Sequence, residues 1–286
     1  MSNPSANPTT LGSSPGEVSE NMEERIAETM RQRPLLVASN RGPVTFTEVG
    51  HEHFTSRQGS GGLVTAISTV LQDQEAIWIA ATMGTGDRRR WELAQRHGQA
   101  FVPPEETGAR FRLRFVVPDE RSYNQYYNEI SNPLLWFLQH YLWDTPRAPD
   151  ITHETWDAWH NGYVKVNQLF ANEIVASCEA SGSEHEPVIM LQDYQLYLVG
   201  GMIREQRPQA TIQHFVHIPW PDPDYWRLIP TEMRTRICEG LLGCDIVGFQ
   251  TPDHARSFMY TCEAYVPDAE VSYNKGLVTW RGRTIK

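Results

Sequence analysis

Cysteine is scarce in this chain. Its 286 residues hold four, Cys178, Cys238, Cys244 and Cys262, with no C-x-x-C pair and no zinc-type spacing. That pattern excludes a disulfide framework and a zinc ribbon, and it leaves reduced thiols as small core residues of a cytoplasmic protein. Long apolar runs are missing too. No stretch is apolar enough to cross a bilayer, and the polar N-terminus has no charged segment leading into an apolar one. Positive charge is in deficit, with 25 Lys and Arg against 35 Asp and Glu and a formal net charge of −10. Nucleic acid and an anionic membrane surface are thereby excluded as the main partner, while a local basic pocket can still take a phosphate. Metal-ligand clusters are also lacking: the pairs His51/His53 and His214/His217 have no third ligand at suitable spacing, so no metal is expected. No internal repeat is present.

What is there is enough apolar material, 40% hydrophobic and 10% aromatic, for one large α/β domain or two small ones. Residues 1–15 are rich in Ser, Asn, Pro and Thr and predict a disordered tail. Residues 16–34 turn helical in composition up to Pro34, as an accessory helix would. From residue 35 to 286 the pattern is that of one Rossmann-like domain. Short, continuously apolar runs at 34–39, 76–81, 187–191, 211–217 and 245–249 suit strands buried on both faces of a parallel sheet. Helical patterns at 63–72, 124–141, 155–179, 194–206, 231–242 and 252–262 alternate with them, which implies a doubly wound parallel sheet. The tail reads as a hairpin, with Arg281-Gly282 turning between 277–280 and 283–285.

In such sheets ligands sit beyond the carboxyl ends of the strands, and polar residues gather at those ends here: Asn40-Arg41, Gln192-Asp193-Tyr194 and His217. A glycine-rich loop, Gly59-Ser60-Gly61-Gly62, lies between the first strand and an apolar helix from Leu63. Small residues before a helix N-terminus let backbone N–H groups approach a phosphate, but the loop lacks a P-loop's Lys-Ser/Thr ending and the dinucleotide fingerprint. Taken alone, it serves equally as a turn. A lone histidine such as His217 is by itself as well explained by a structural role, and Asp193 by helix N-capping.

In order along the chain, "VASNRGPV", "GSGGLVTAI", "YYNEISNPLLWFLQHYLW", "GYVKVNQLFA", "LQDYQLYLVGGMIRE", "HFVHIPWPDPDYWRLIP" and "LLGCDIVGFQTPDHARSF" resemble the N-terminal half of trehalose-6-phosphate synthases. The resemblance covers about residues 35–286. It implies the acceptor-side domain of a GT-B glycosyltransferase and a retaining transfer of glucose from a nucleotide sugar, UDP-glucose, to glucose 6-phosphate without a metal ion or other cofactor. By the same resemblance, Arg41 holds the acceptor's phosphate with Tyr127 assisting, and Asp193 binds acceptor hydroxyls. Gly61 and Gly62 approach the donor's diphosphate. His217 contacts the donor glucose and, with Asp193, forms the catalytic pair, while Trp136 and Ile218 select the α-anomer. A sugar phosphate and a nucleotide sugar are then the small-molecule partners, and a homo-oligomer stays open.

Three departures from the family pattern bear on this. The family's "HDYH" reads Gln192-Asp193-Tyr194-Gln195, so two imidazoles become amides that carry no proton. Ala81 stands where the family usually has a tryptophan packed on the acceptor sugar, which implies a larger acceptor site and admits glycerol phosphate or a cyclitol phosphate as acceptor. The family's grip on the donor diphosphate and ribose lies in a C-terminal domain beyond the residues matched here, so the chain is expected to be half an active site, inactive by itself. A second reading is a non-catalytic, sugar-phosphate-binding regulatory subunit.

Overall fold

The computed structural model describes residues 33–59, 62, 64, 65, 67, 76–108, 111–143 and 150–286. The tail expected over 1–15 lies outside the described residues, and so does the accessory helix but for Arg33 and Pro34. Arg33 fastens the entry to the sheet by donating to the carbonyls of Glu186 (2.6 Å) and Pro187 (3.3 Å) and to Thr211 Oγ1 (3.0 Å).

Strand β1 (Leu35–Arg41) is buried along all but its last residue, as its continuous apolar run demands. An antiparallel hairpin follows, β2 (Val44–Gly50) with β3 (His53–Gln58), and then β4 (Ala76–Ala81), buried throughout. Helices α1 (Thr85–Arg96) and α2 (Pro104–Thr107) lead to β5 (Phe111–Val116). Two long helical segments, α3 over residues 120–139 and α4 over 153–180, carry the chain to β6 (Val188–Gln192). Then α5 (Val199–Gln206), β7 (Thr211–Val216), α6 (Pro223–Trp226), α7 (Thr231–Leu242), β8 (Ile246–Phe249) and α8 (Pro252–Tyr265) complete the alternation.

The six-stranded sheet runs β5-β4-β1-β6-β7-β8, each neighbouring pair parallel. The chain thus winds outward from β1 to one side, returns, and winds to the other. The switch point lies between β1 and β6, whose carboxyl ends are Arg41 and Gln192. One face of the sheet packs Leu36, Ile77, Ile189 and Ile212 under the larger helical layer. The other packs Leu35, Val37, Trp78 and Phe115 with Trp91 of α1 and Phe46 of the hairpin.

All five expected strands are present within a residue or two, as a doubly wound α/β sheet requires. β5 was not expected. Its Arg112 and Arg114 interrupt the apolar run, yet both stay by the sheet: Arg112 lies 4.7 Å over the Phe101 ring, and Arg114 Nε donates to Glu173 at 2.5 Å. The β2–β3 hairpin and α1 were likewise unforeseen. Buried Asp87 binds the two together, accepting the N–H groups of Phe46 (2.6 Å) and Met83 (2.8 Å); burial raises its pKa against the pull of those bonds. The expected helix over 194–206 is instead a 3-10 turn, Tyr194–Leu196, followed by α5.

The middle of α3, Gln125–Trp136, has wide π-type turns, as has Ala158–Val164 within α4. The two segments touch at Gly162, where an added Cβ would sit 2.5 Å from Gln125 Cβ and 2.7 Å from the Tyr126 nitrogen. At the C-terminal end the hairpin of β10 (Leu277–Trp280) and β11 (Arg283–Ile285) is as expected. Arg281 and Gly282 both have positive φ, 49° and 74°, the conformation a two-residue turn of this hand needs. β9 (Glu270–Ser272), not foreseen, pairs on its other side.

Candidate functional site

The carboxyl ends of β1, β6 and β7 lie side by side, about 5 Å between neighbours, and each delivers a polar residue there. Arg41 is exposed at the end of β1. Its Nη2 donates to the Tyr127 hydroxyl at 3.4 Å, and its guanidinium carbon stands 5.9 Å from that ring's centroid. Among the described residues no carboxylate pairs with Arg41, and its side chain is exposed to solvent. Tyr127 is half-buried and stacks on Tyr123, ring centroids 5.9 Å apart and planes 12° apart. The Tyr123 hydroxyl is 3.4 Å from Asn40 Oδ1, so α3 is joined to the end of β1 at two successive residues.

Asp193 follows β6 with φ 72° and ψ 176°, a region that a residue with a Cβ enters only under strain. Its carboxylate Oδ1 accepts the backbone N–H of His217 at 3.1 Å, and its carbonyl lies 3.0 Å from His214 Nε2. Its carboxylate makes no full capping bond to the 3-10 turn that it precedes, although the Tyr194 N–H lies close enough to favour its charged form. Burial pushes its pKa up to about 6, against the hydrogen bonds from His217 and Tyr194. His217 lies just past β7, its Nε2 2.8 Å from Gln192 Oε1, and burial lowers its pKa. His214, wholly buried, is pushed down to about 3, first by burial, and stays a neutral core residue.

Tyr123, not foreseen, and Tyr194, expected only as one of the polar residues at a strand end, also lie in the candidate site. The Tyr194 hydroxyl donates to Asn132 Oδ1 at 2.8 Å, and its electrostatic neighbours include Asp193, Tyr127 and Arg41. Both tyrosines sit among aromatic residues at helical spacing, where a core role and a site role look alike in sequence.

The structure does not join every expected residue to this cluster. The ring contacts of Trp136 are with its own helix, Phe137 at 5.4 Å and His140 at 4.1 Å. Ile218 is buried beside His217, 9% exposed. Gly61 lies outside the described residues. Gly62 is helical and exposed, and an added Cβ there would meet nothing within 4 Å among the described residues. The glycine loop does not follow β1 directly as the sequence suggested, because the hairpin is inserted between them; Gly59 closes it by donating to the Pro43 carbonyl at 2.7 Å. Ala81 pairs in register with Arg41 and is 0% exposed, so no side chain reaches the site mouth from there. Met83 stands at that mouth instead, 37% exposed, with its sulfur 3.5 Å from the Tyr123 hydroxyl.

Among the described residues no group of three His, Cys, Asp or Glu side chains is disposed to hold a metal ion. No helix among them is long and apolar enough to cross a membrane.

Comparison with known proteins fits this architecture. The chain is 32% identical over 252 residues to validamine 7-phosphate valienyltransferase of Streptomyces hygroscopicus, covering 87% of this chain and 49% of that protein. It is 34% identical over 233 residues to trehalose-6-phosphate synthase of Mycobacterium tuberculosis, covering 82% of this chain and 43% of the relative. A solved E. coli trehalose-6-phosphate structure with bound UDP-2-fluoro glucose superposes with a TM-score of 0.64 at 22% identity, over 88% of this chain and 47% of the other. The fold is that of GT-B trehalose-phosphate synthases, and the chain spans about half the length of the curated relatives it matches. With the glycosyltransferase family 20 model matching residues 33–286, on a parallel sheet whose switch point presents Arg41, Asp193 and His217, the chain belongs to glycosyltransferase family 20.

Proposed function

We propose that this chain forms the acceptor-side half of a retaining glucosyltransferase that moves glucose from UDP-glucose to glucose 6-phosphate, yielding trehalose 6-phosphate. The observation that carries the reading is Arg41, unpaired with any carboxylate among the described residues and steadied by Tyr127 at the switch point. A guanidinium so placed offers a phosphate a fixed fork of donors. Asp193, one strand over, is the acceptor for sugar hydroxyls, and His217 beyond it meets the donor glucose. Gly61 and Gly62 are assigned to the donor's diphosphate by resemblance, their small size suiting close backbone approach. Trp136 and Ile218 are assigned to anomer selection by resemblance alone.

The chemistry asks for no protein nucleophile. The donor's diphosphate leaves, an oxocarbenium-like centre forms, and the acceptor hydroxyl attacks from the same face. Catalysis then comes from positioning and from stabilising charge on the leaving diphosphate. No metal or other cofactor is assigned to the reaction.

A second acceptor class has its own support. Ala81 contributes no ring to the mouth, and a relative at 32% identity is named for transfer to validamine 7-phosphate. A cyclitol phosphate is therefore the alternative acceptor.

Calorimetric titration of the chain with glucose 6-phosphate, glucose and glycerol 3-phosphate tests the reading. Saturable binding of glucose 6-phosphate alone is expected. Arg41→Ala should weaken it about ten- to a hundredfold, the loss of one or two charge-assisted hydrogen bonds. Equal affinity for glucose, or an Arg41→Ala variant that binds as the parent does, contradicts it.

A further inference from the structure

Gln192 and His217 close adjacent strands. Gln192 pairs in register with Phe215, so its side chain leaves the sheet on the face that His217, two residues further, also uses. Gln192 is only 3% exposed, which keeps water from competing for its amide. Its Oε1 lies 2.8 Å from His217 Nε2. In this orientation of the Gln192 amide the oxygen faces the ring, and because a carbonyl oxygen can only accept, the matching tautomer carries its proton on Nε2 and leaves Nδ1 as an acceptor. Nδ1 has no hydrogen-bond partner among the described residues.

The rest of His217 is equally held. Asp193 Oδ1 accepts its backbone N–H at 3.1 Å, and Gln250 Nε2 donates to its carbonyl at 2.7 Å. The Phe215 ring lies 4.7 Å from the imidazole, centroid to centroid. Of the titratable groups nearby, Asp193 directs its oxygen to the backbone, and His214 is a neutral core imidazole. Gln192 and Gln250 carry no charge, so nothing here favours an imidazolium.

We propose that Gln192 is a positioning residue: it locks His217 as the neutral Nε2–H tautomer and so presents Nδ1 to accept a hydrogen bond from a ligand hydroxyl. This rests on the reading of His217 as a sugar-site residue. The glutamine at 192 then has a purpose of its own where the family pattern has histidine, because an amide holds its neighbour's tautomer across the pH range in which two imidazoles would exchange protons.

Long-range proton–nitrogen spectra of the chain labelled with 15N at histidine test this directly. His217 is expected to show a pyrrole-type Nε2 and a pyridine-type Nδ1 as one species at neutral pH. Gln192→Leu should lose that preference and give a mixture of tautomers. Gln192→Glu, which keeps the acceptor and adds charge, should restore Nε2–H and raise the His217 titration midpoint by about one to two pH units. The buried His214 signal reports folding in each variant. A parent protein protonated on Nδ1, or a folded Gln192→Leu variant with an unchanged tautomer, overturns the inference. If Gln192→Leu does not fold, the parent tautomer and the Gln192→Glu midpoint decide. Glucose 6-phosphate added to the same samples separates the two readings. Nε2–H without sugar-phosphate binding counts against the functional reading alone, and binding with Nδ1 protonated counts against this inference alone.

Discussion

Asp193 bears two burdens at once, a strained backbone and a buried carboxyl, and each makes a measurable prediction. At φ 72° and ψ 176° it occupies a region that costs about 1–3 kcal/mol for a residue with a Cβ and little for glycine. Asp193→Ala loses the bond to the His217 N–H but keeps the strain; Asp193→Gly loses the same bond and relaxes. After the entropy that glycine gives up on folding, the Gly variant should be the more stable by about 1 kcal/mol in urea unfolding. Equal midpoints would show that the backbone is not strained. The carboxyl predicts a pH effect. Its pKa rises from 3.8 to about 6 in the fold, chiefly by burial, so protonation favours the native state. That contribution is complete below pH 3.8 and disappears as pH rises through 6. Relative to Asp193→Asn, which keeps an acceptor oxygen but does not titrate, the parent should lose on the order of 3 kcal/mol between pH 4 and 7. A flat difference across that range would show that Asp193 is solvated. The strain and the burial both hold an acceptor oxygen at the switch point.

At the scale of elements, the site depends on how α3 lies against α4. Tyr123, Tyr127 and Asn132 all project from α3, and that helix rests on Gly162 of α4. Gly162→Ala would place a Cβ 2.5 Å from Gln125 Cβ and 2.7 Å from the Tyr126 nitrogen, where backbone cannot yield cheaply. The expected cost is about 2–3 kcal/mol of stability, with weaker glucose 6-phosphate binding because Tyr127 moves with its helix. A variant that melts and binds like the parent would mean that the helices part without consequence. Little of this contact was legible in the sequence. The five apolar runs announced their strands because burial on both faces leaves no room for polar residues. β5 stayed hidden because Arg112 and Arg114 reach partners outside the sheet, and the β2–β3 hairpin because one face is open to solvent. Of the site, Arg41, Asp193 and His217 could be read from their place at strand ends, and Tyr127 from resemblance. Tyr194 could be read only as a polar residue at a strand end and Tyr123 not at all, since only the folded contacts tell a site aromatic from a core one. The Gln192–His217 bond joins residues 25 apart in sequence, and only the β6–β7 register brings them together.

Across the whole molecule, a parallel sheet has two unlike ends, and function and stability divide between them. Every residue assigned to ligand binding on a strand end, Arg41, Asp193 and His217, stands at the carboxyl edge. The amino edge has its own centre, Asp245, just before β8. Its Oδ2 accepts from Arg204 Nη2 (2.9 Å) and the Ile212 N–H (2.8 Å), and its Oδ1 from Arg283 Nη2 (2.5 Å). One carboxylate thus ties α5, the start of β7 and the C-terminal hairpin to β8. Arg204 is well shielded, its side chain 11% exposed, and it also donates to the carbonyls of Gly243, Pro208 and Ala210, so it cannot turn away to solvent if its partner is removed. Asp245→Ala should therefore cost about 3 kcal/mol, the penalty for stranding a partly buried charge. Because the proposed acceptor site lies at the other end of the strands, affinity for glucose 6-phosphate, measured well below the melting transition, should stay within about twofold of the parent. Arg41→Ala should do the reverse, removing affinity while leaving the unfolding midpoint nearly unchanged. Urea unfolding and calorimetric titration of the two variants side by side decide the point. Were Asp245→Ala to abolish binding in a folded chain, the two ends would be coupled through the sheet, and the separation of function from stability along the strand axis would not hold.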